Sequence, residues 1–130
     1  MDALLPIEDV RAQVADMPLW SLEDMDDGRT PSYRISRLFT AKDFQAGLNA
    51  LNAVGAVAER EGHHPDLQLT NYREVKISLW THKLRGLTQT DFNLAKIIDE
   101  EVTFSYSPKW LREHPAAKDQ LIGNLGSSQM

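Results

Sequence analysis

Residues 59–91 read EREGHHPDLQLTNYREVKISLWTHKLRGLTQTD, and this stretch decides the fold. Its middle alternates: Val75, Ile77, Leu79 and Thr81 fall on one side of an extended chain, Glu74, Lys76, Ser78, Trp80 and His82 on the other. That is a strand, about Glu74 to His82, with one face offered to a core. A second strand, about Leu67 to Tyr72, lies so close before it that the two form a short hairpin. Gly62 marks the end of an upstream helix, because glycine tolerates the left-handed backbone common at helix C-termini. Downstream, Thr88 and Asp91 have the spacing of a capping box and open a helix whose apolar set is Phe92, Leu94, Ala95, Ile97 and Ile98.

Working outward, the upstream helix carries Phe44, Leu48, Leu51, Val54 and Ala58 as an apolar stripe and runs to about Glu61. Ala46, Gly47, Ala50, Ala53 and Gly55 make a second, small-residue side that suits a close neighbour. Thr40 and Asp43 are expected as the N-cap and N3 partner of this helix. Nearer the N-terminus, Pro6 can open a helix with Ile7, Val10, Val14 and Met17 at helical spacing, stopped by Pro18. A strand near Trp20 to Met25, a turn at Asp26-Asp27-Gly28-Arg29 and a returning strand from Tyr33 to Phe39 follow, the last interrupted by Arg34 and Arg37. The order helix, hairpin, long helix, strand pair, helix predicts an α+β domain with a four-stranded, mostly antiparallel sheet. Its helices pack on one face, the face of Val75, Ile77 and Leu79.

A length of 130 residues suits one domain. The absence of cysteine excludes disulfides, thiolate metal sites and cysteine nucleophiles. A net charge of −5 lacks the basic excess that phosphate backbones require, so no nucleic-acid partner is expected. No apolar run reaches the roughly 18 to 20 residues of a membrane span. Met1 to Asp9 is acidic and lacks the pattern of a targeting peptide, so the expected compartment is the cytoplasm.

Three of the four histidines, His63, His64 and His82, fall within 20 positions. The hairpin returns His82 towards Pro65, so they can meet in space. Imidazole exchanges protons near neutrality, and several of them beside a carboxylate such as Glu59 suit general acid–base catalysis. The residues alone leave two other readings open. Adjacent histidines at a loop can be no more than exposed polar groups, and histidines also bind metals. Against a metal, His-His-Pro sends neighbouring side chains apart and lacks the i, i+4 pairing of helical zinc sites.

The stretch resembles the signature of the pterin-4a-carbinolamine dehydratase family. That signature is an acidic residue, His-His-Pro after three spacers, an aromatic, a histidine and a later aspartate, here Glu59, His63, His64, Pro65, Tyr72, His82 and Asp91. The wider resemblance runs from about Trp20 to Glu101. It implies loss of water from a 4a-hydroxytetrahydropterin to give the quinonoid dihydropterin, in tetrahydrobiopterin recycling and without a cofactor. It implies that His63 and His82 transfer protons, that His64 binds and orients the pterin, and that Glu59 supports the cluster. Gly62, His63, His64, Trp80, Thr81 and His82 are then the substrate contacts. It further implies a homo-oligomer, dimer or tetramer, for which the Ala46/Ala50/Ala53 side is the expected interface. Some relatives act instead as protein-binding cofactors, a transcriptional coactivator or assembly factors, which is the alternative reading. Asp91 at N3 is read as structural, Tyr72 as packing across the sheet, and Trp80 as either a stacking platform or sheet cover. The domain is expected over residues 1–103. Residues 104–130 form an aromatic-containing tail, with a short helix after Ser107-Pro108 and a disordered end at Gly126–Met130.

Overall fold

Alternation along Glu74–Leu79 leaves Val75, Ile77 and Leu79 at most 2% exposed, the centre of the core in this computed structural model, which describes residues 2–25 and 32–118. Burying each contributes about 1.5–3 kcal/mol, so this strand's register is strongly specified. The strands are β1 (Ser21–Asp24), β2 (Tyr33–Thr40), β3 (Asp66–Thr70) and β4 (Glu74–Leu79). They form one sheet in the order β1-β2-β4-β3, with every neighbouring pair antiparallel. Helices α1 (Ile7–Ala15), α2 (Phe44–Glu61) and α3 (Gln89–Glu101) contribute Val10, Val54, Phe92, Leu94 and Ile98 to the core. The expected turn at Asp26–Arg29 and the chain beyond Lys118 lie outside the described residues.

Three local expectations are corrected. The N-cap of α2 is Asp43, whose carboxylate accepts the Ala46 N–H at 2.8 Å. Thr40 is instead the last residue of β2, where its hydroxyl donates to Glu74 across the sheet at 2.9 Å. Strand β3 ends at Thr70, so Tyr72 does not pack across the sheet. It sits in the hairpin turn at φ 56°, 57% exposed, at the end away from the histidines. Strand β4 ends at Leu79, and His82 starts a 3-10 turn, His82–Leu84, because the Thr81 N–H bonds back to the Gly86 carbonyl at 2.8 Å. Part of the small-residue side of α2 is covered within the chain itself, while Ala46, Ala53 and Gly55 stay half-buried. Ala50 is 5% exposed, and a Cβ at Gly47 would stand 2.8 Å from Leu69 Cδ1, so glycine is what lets α2 approach β3. What α2 leaves open is Phe44, 51% exposed, with Leu48 and Leu51 half-buried beside it.

Arg37 interrupts the β2 pattern because it is a core residue. Its side chain is 1% exposed, donates to Asp99 at 2.9 Å and to the Tyr106 hydroxyl, and lies 4.6 Å from the Phe104 ring centre. Burial pushes the Asp99 carboxyl up, against the opposing pull of Arg37 and of the Trp20 indole N–H. Arg34 points outward to Glu23 at 3.2 Å. The chain after α3 follows the end of β2, pairing Ala41 with Tyr106, and Phe104 and Tyr106 pack on Phe39. Helix α4 (Pro108–Glu113) then starts at Ser107, with proline in its first turn.

Candidate active site

Helix α2 must stop for His63 to leave it, and Gly62 does this at φ 70°. The Gly62 and His63 N–H groups bond the Glu59 and Ala58 carbonyls, the paired pattern of a Schellman end. The His63 backbone is therefore fixed by the helix terminus. Its side chain, 17% exposed, turns inward and brings Nε2 to 2.6 Å from Asp91 Oδ1.

Asp91 is 0% exposed, and its two oxygens have separate duties. Oδ2 accepts the Thr88 backbone N–H at 2.9 Å, half of the capping box of α3, and the Thr81 hydroxyl at 2.9 Å. Oδ1 faces His63. A buried carboxylate is tolerated only when its lone pairs are satisfied, and here donors from three segments do so. The residue read as structural thus also holds an imidazole, which the sequence reading missed. The signal was present, since the capping spacing identified the residue. Only the fold could reveal its second oxygen.

His64 and His82 sit differently. His64 is 64% exposed, with Nε2 at 2.8 Å from Glu59 Oε1, and Glu59 is itself 78% exposed. Glu59 therefore serves His64, while His63 has Asp91. His82 is 52% exposed. Its Nε2 lies 3.8 Å from Asp66 Oδ1, and Asp66 Oδ2 accepts the Trp80 indole N–H at 3.0 Å. The Trp80 and His82 rings meet edge-on, 4.2 Å apart at 87°. Thr81, between them in sequence, bonds Asp91 and so ties the His82 segment to the His63 carboxylate.

A cavity of about 150 Å³ flanks His63 on its helix side, lined by Glu61, Thr90, Asn93, Leu94 and Ile97. A larger one, about 460 Å³, lies between Leu19, Arg37, Leu38 and Trp110 and holds none of the three histidines. Size does not locate the chemistry here. The three imidazoles, each facing a carboxylate, are the candidate chemistry instead. Among the described residues, no three His, Cys, Asp or Glu side chains are grouped so as to hold a metal ion.

Residues 3–101 match the family model described as pterin 4 alpha carbinolamine dehydratase. The chain belongs to this family. A putative pterin-4-alpha-carbinolamine dehydratase of Chlorobaculum tepidum is 42% identical over 88 residues, 68% of this chain and 75% of that protein. Pterin-4-alpha-carbinolamine dehydratase 2 of Arabidopsis thaliana, described as mitochondrial, is 42% identical over 62% of this chain. That match spans 41% of the Arabidopsis protein's length. The crystal structure of a transcriptional coactivator/pterin dehydratase from Brucella melitensis superposes with a TM-score of 0.61 at 26% identity, covering 75% of this chain and 96% of that one. No helix among the described residues is long and apolar enough to cross a membrane.

Proposed function

We propose that this chain removes water from a pterin-4a-carbinolamine, giving the quinonoid dihydropterin, by proton transfer from and to histidine. Membership of the dehydratase family supports the reaction. The observation that carries the site is His63 held at 2.6 Å by the fully buried Asp91 carboxylate. A surface histidine of no function needs no such anchor.

Hydroxide is a poor leaving group and must be protonated as it departs, while N5 of the pterin supplies electrons and gives up its proton. His63 and His82 are the proton-transferring groups in this reading. A well-placed acid of this kind is worth about 10²- to 10⁴-fold. His64 binds and orients the pterin, braced by Glu59. Gly62 and Trp80 complete the substrate contacts. The hydroxyl and N–H of Thr81 are engaged within the protein, and its carbonyl accepts the Leu84 N–H, so Thr81 shapes the pocket from behind. The catalytic unit is residues 1–103, with the segment after it as a brace. The protein acts as a cytoplasmic homo-oligomer, dimer or tetramer, with no resident cofactor or metal.

A stopped assay of 4a-carbinolamine loss, coupled to an aromatic amino-acid hydroxylase, tests the reading. Added protein should accelerate the loss, and chelator should leave the acceleration intact. Absence of acceleration, or loss on chelation restored by zinc, would refute the proposed chemistry.

A further inference from the structure

The three imidazoles share an orientation that sequence could not show. Nε2 of His63 faces Asp91, Nε2 of His64 faces Glu59, and Nε2 of His82 faces Asp66, at 2.6, 2.8 and 3.8 Å. Nδ1 of each makes no hydrogen bond within the described residues. A neutral imidazole carries one N–H, and a carboxylate beside one nitrogen selects the tautomer with the proton on that side.

Resting on the proposed dehydratase reading, we propose that Asp66 is the positioning residue for His82, and that Nδ1 is the atom through which His63 and His82 exchange protons. Asp66 is suited to this because it is itself held. Its Oδ2 accepts the Trp80 indole N–H at 3.0 Å, leaving Oδ1 towards the imidazole. Trp80 also meets the His82 ring at 87°, so one indole fixes both the carboxylate and the ring it serves. At 3.8 Å the two groups stand beyond direct hydrogen-bond distance, so Asp66 acts on the ring through its charge or across an intervening water that the half-exposed position admits. Asp66 occupies no named place in the signature that carries the family resemblance, and it follows His-His-Pro directly.

The proton accounting closes with this assignment. The acid histidine begins protonated on both nitrogens and gives its Nδ1 proton to the departing hydroxyl, which leaves as water. The N5 proton passes to the unprotonated Nδ1 of the base histidine. One imidazolium is consumed and one is formed. Exchange with solvent resets both, and each Nε2–H remains on its carboxylate throughout.

The test combines kinetics with nitrogen NMR of the imidazoles. Asp66→Asn keeps an acceptor for Trp80 but removes the charge. It should lower kcat about tenfold with KM little changed, the low end of what outer-shell carboxylates contribute behind metal-held imidazoles, as suits a half-exposed partner. In a His82→Ala background the same change should cost less than about twofold, because the residue it positions is gone. In the wild type the neutral His82 ring should be the Nε2–H tautomer, and Asp66→Asn should give a mixture. Trp80→Phe, which frees the carboxylate, should reproduce a weaker form of both effects. An equal loss from Asp66→Asn with and without His82, or an unchanged tautomer, would overturn the assignment. If the wild type accelerates nothing, the dehydratase reading fails, and the tautomer still decides whether Asp66 positions the ring.

Discussion

His63 and His82 are the same residue facing the same kind of partner, yet one is built into the fold and the other laid upon it. His63 leaves a Schellman helix end, is 17% exposed, and meets a carboxylate that is 0% exposed and caps α3. His82 opens a 3-10 turn, is 52% exposed, and faces a carboxylate that is 50% exposed. Glu59 and His64 continue the series at 78% and 64%. Burial makes a hydrogen-bonded charge costly to break, whereas water replaces most of what an exposed pair loses. The three pairs should therefore contribute to catalysis while differing in what they contribute to stability.

The sharpest break of the comparison is Asp91→Ala. It strands the His63 ring and the Thr88 N–H, leaves the Thr81 hydroxyl only its bond to Thr88, and removes half of a helix capping box. A stability loss of about 3 kcal/mol is expected from such a change, beside a loss of turnover. Asp66→Ala, half exposed, should cost no more than about 0.5 kcal/mol. Urea unfolding of the two variants measures the difference. Similar losses would show that burial does not separate the two sites.

The next test asks whether the two histidines divide the chemistry. C4a of the substrate is a stereocentre, so the hydroxyl leaves from one face of the ring or the other. His63 and His82 arrive on separate segments, one from a helix end and one from a strand end, and can flank the ring. His63→Ala and His82→Ala should each lose about 10²-fold in kcat, with opposite preferences between resolved epimers. Equal losses on both epimers from both variants would refute the two-sided arrangement.

What the sequence made legible is what local chemistry determines. The period-2 run of β4, the glycine stop at 62 and the Thr88–Asp91 box depend on neighbours within a few residues, and all three stand in the structure. The α2 cap was misplaced because Thr40 and Asp43 both have capping side chains. Only the pairing of β2 with β4 claims Thr40 for the sheet. The end of β4 was overrun because Thr81 still fits the alternation, and the bond to Gly86 that turns the chain is not a pattern in sequence. Arg37 read as an interruption because its partner Asp99 lies 62 residues away. Asp91 reaches His63 across 28 residues, and no periodicity relates the two. Tertiary partners of polar groups were the illegible part.

Assembly sharpens the comparison from outside the site. Gly47 and Ala50 of α2 are covered within the chain and Phe44 is open, so an interface through this helix is expected to use Phe44, Leu48 and Leu51. Phe44→Glu should shift the mass found by light scattering from an oligomer towards a monomer, leaving the unfolding midpoint of the chain nearly unchanged. A monomer in the wild type at micromolar concentration would refute the homo-oligomer.

The smallest effect belongs to the most exposed pair. Glu59 and His64 lie on the surface at 2.8 Å, where an ion pair contributes at most about 1 kcal/mol. Neither residue is needed to satisfy a buried group, so Glu59→Ala should leave stability within about 0.5 kcal/mol of the wild type. In the proposed reading its role is to hold the His64 ring against the pterin, which is ground-state binding. Loss of binding made equally in the ground and transition states raises KM and spares kcat. His64→Ala should therefore raise KM by about tenfold, and Glu59→Ala by about twofold, since it loosens the ring without removing it. Salt separates this pair from the His63–Asp91 pair. At 1 M the screening length falls to about 3 Å, so the KM difference between wild type and Glu59→Ala should close, while the cost of Asp91→Ala persists. A Glu59→Ala effect on kcat, or one that survives high salt, would place this pair with the buried one and end the graded series.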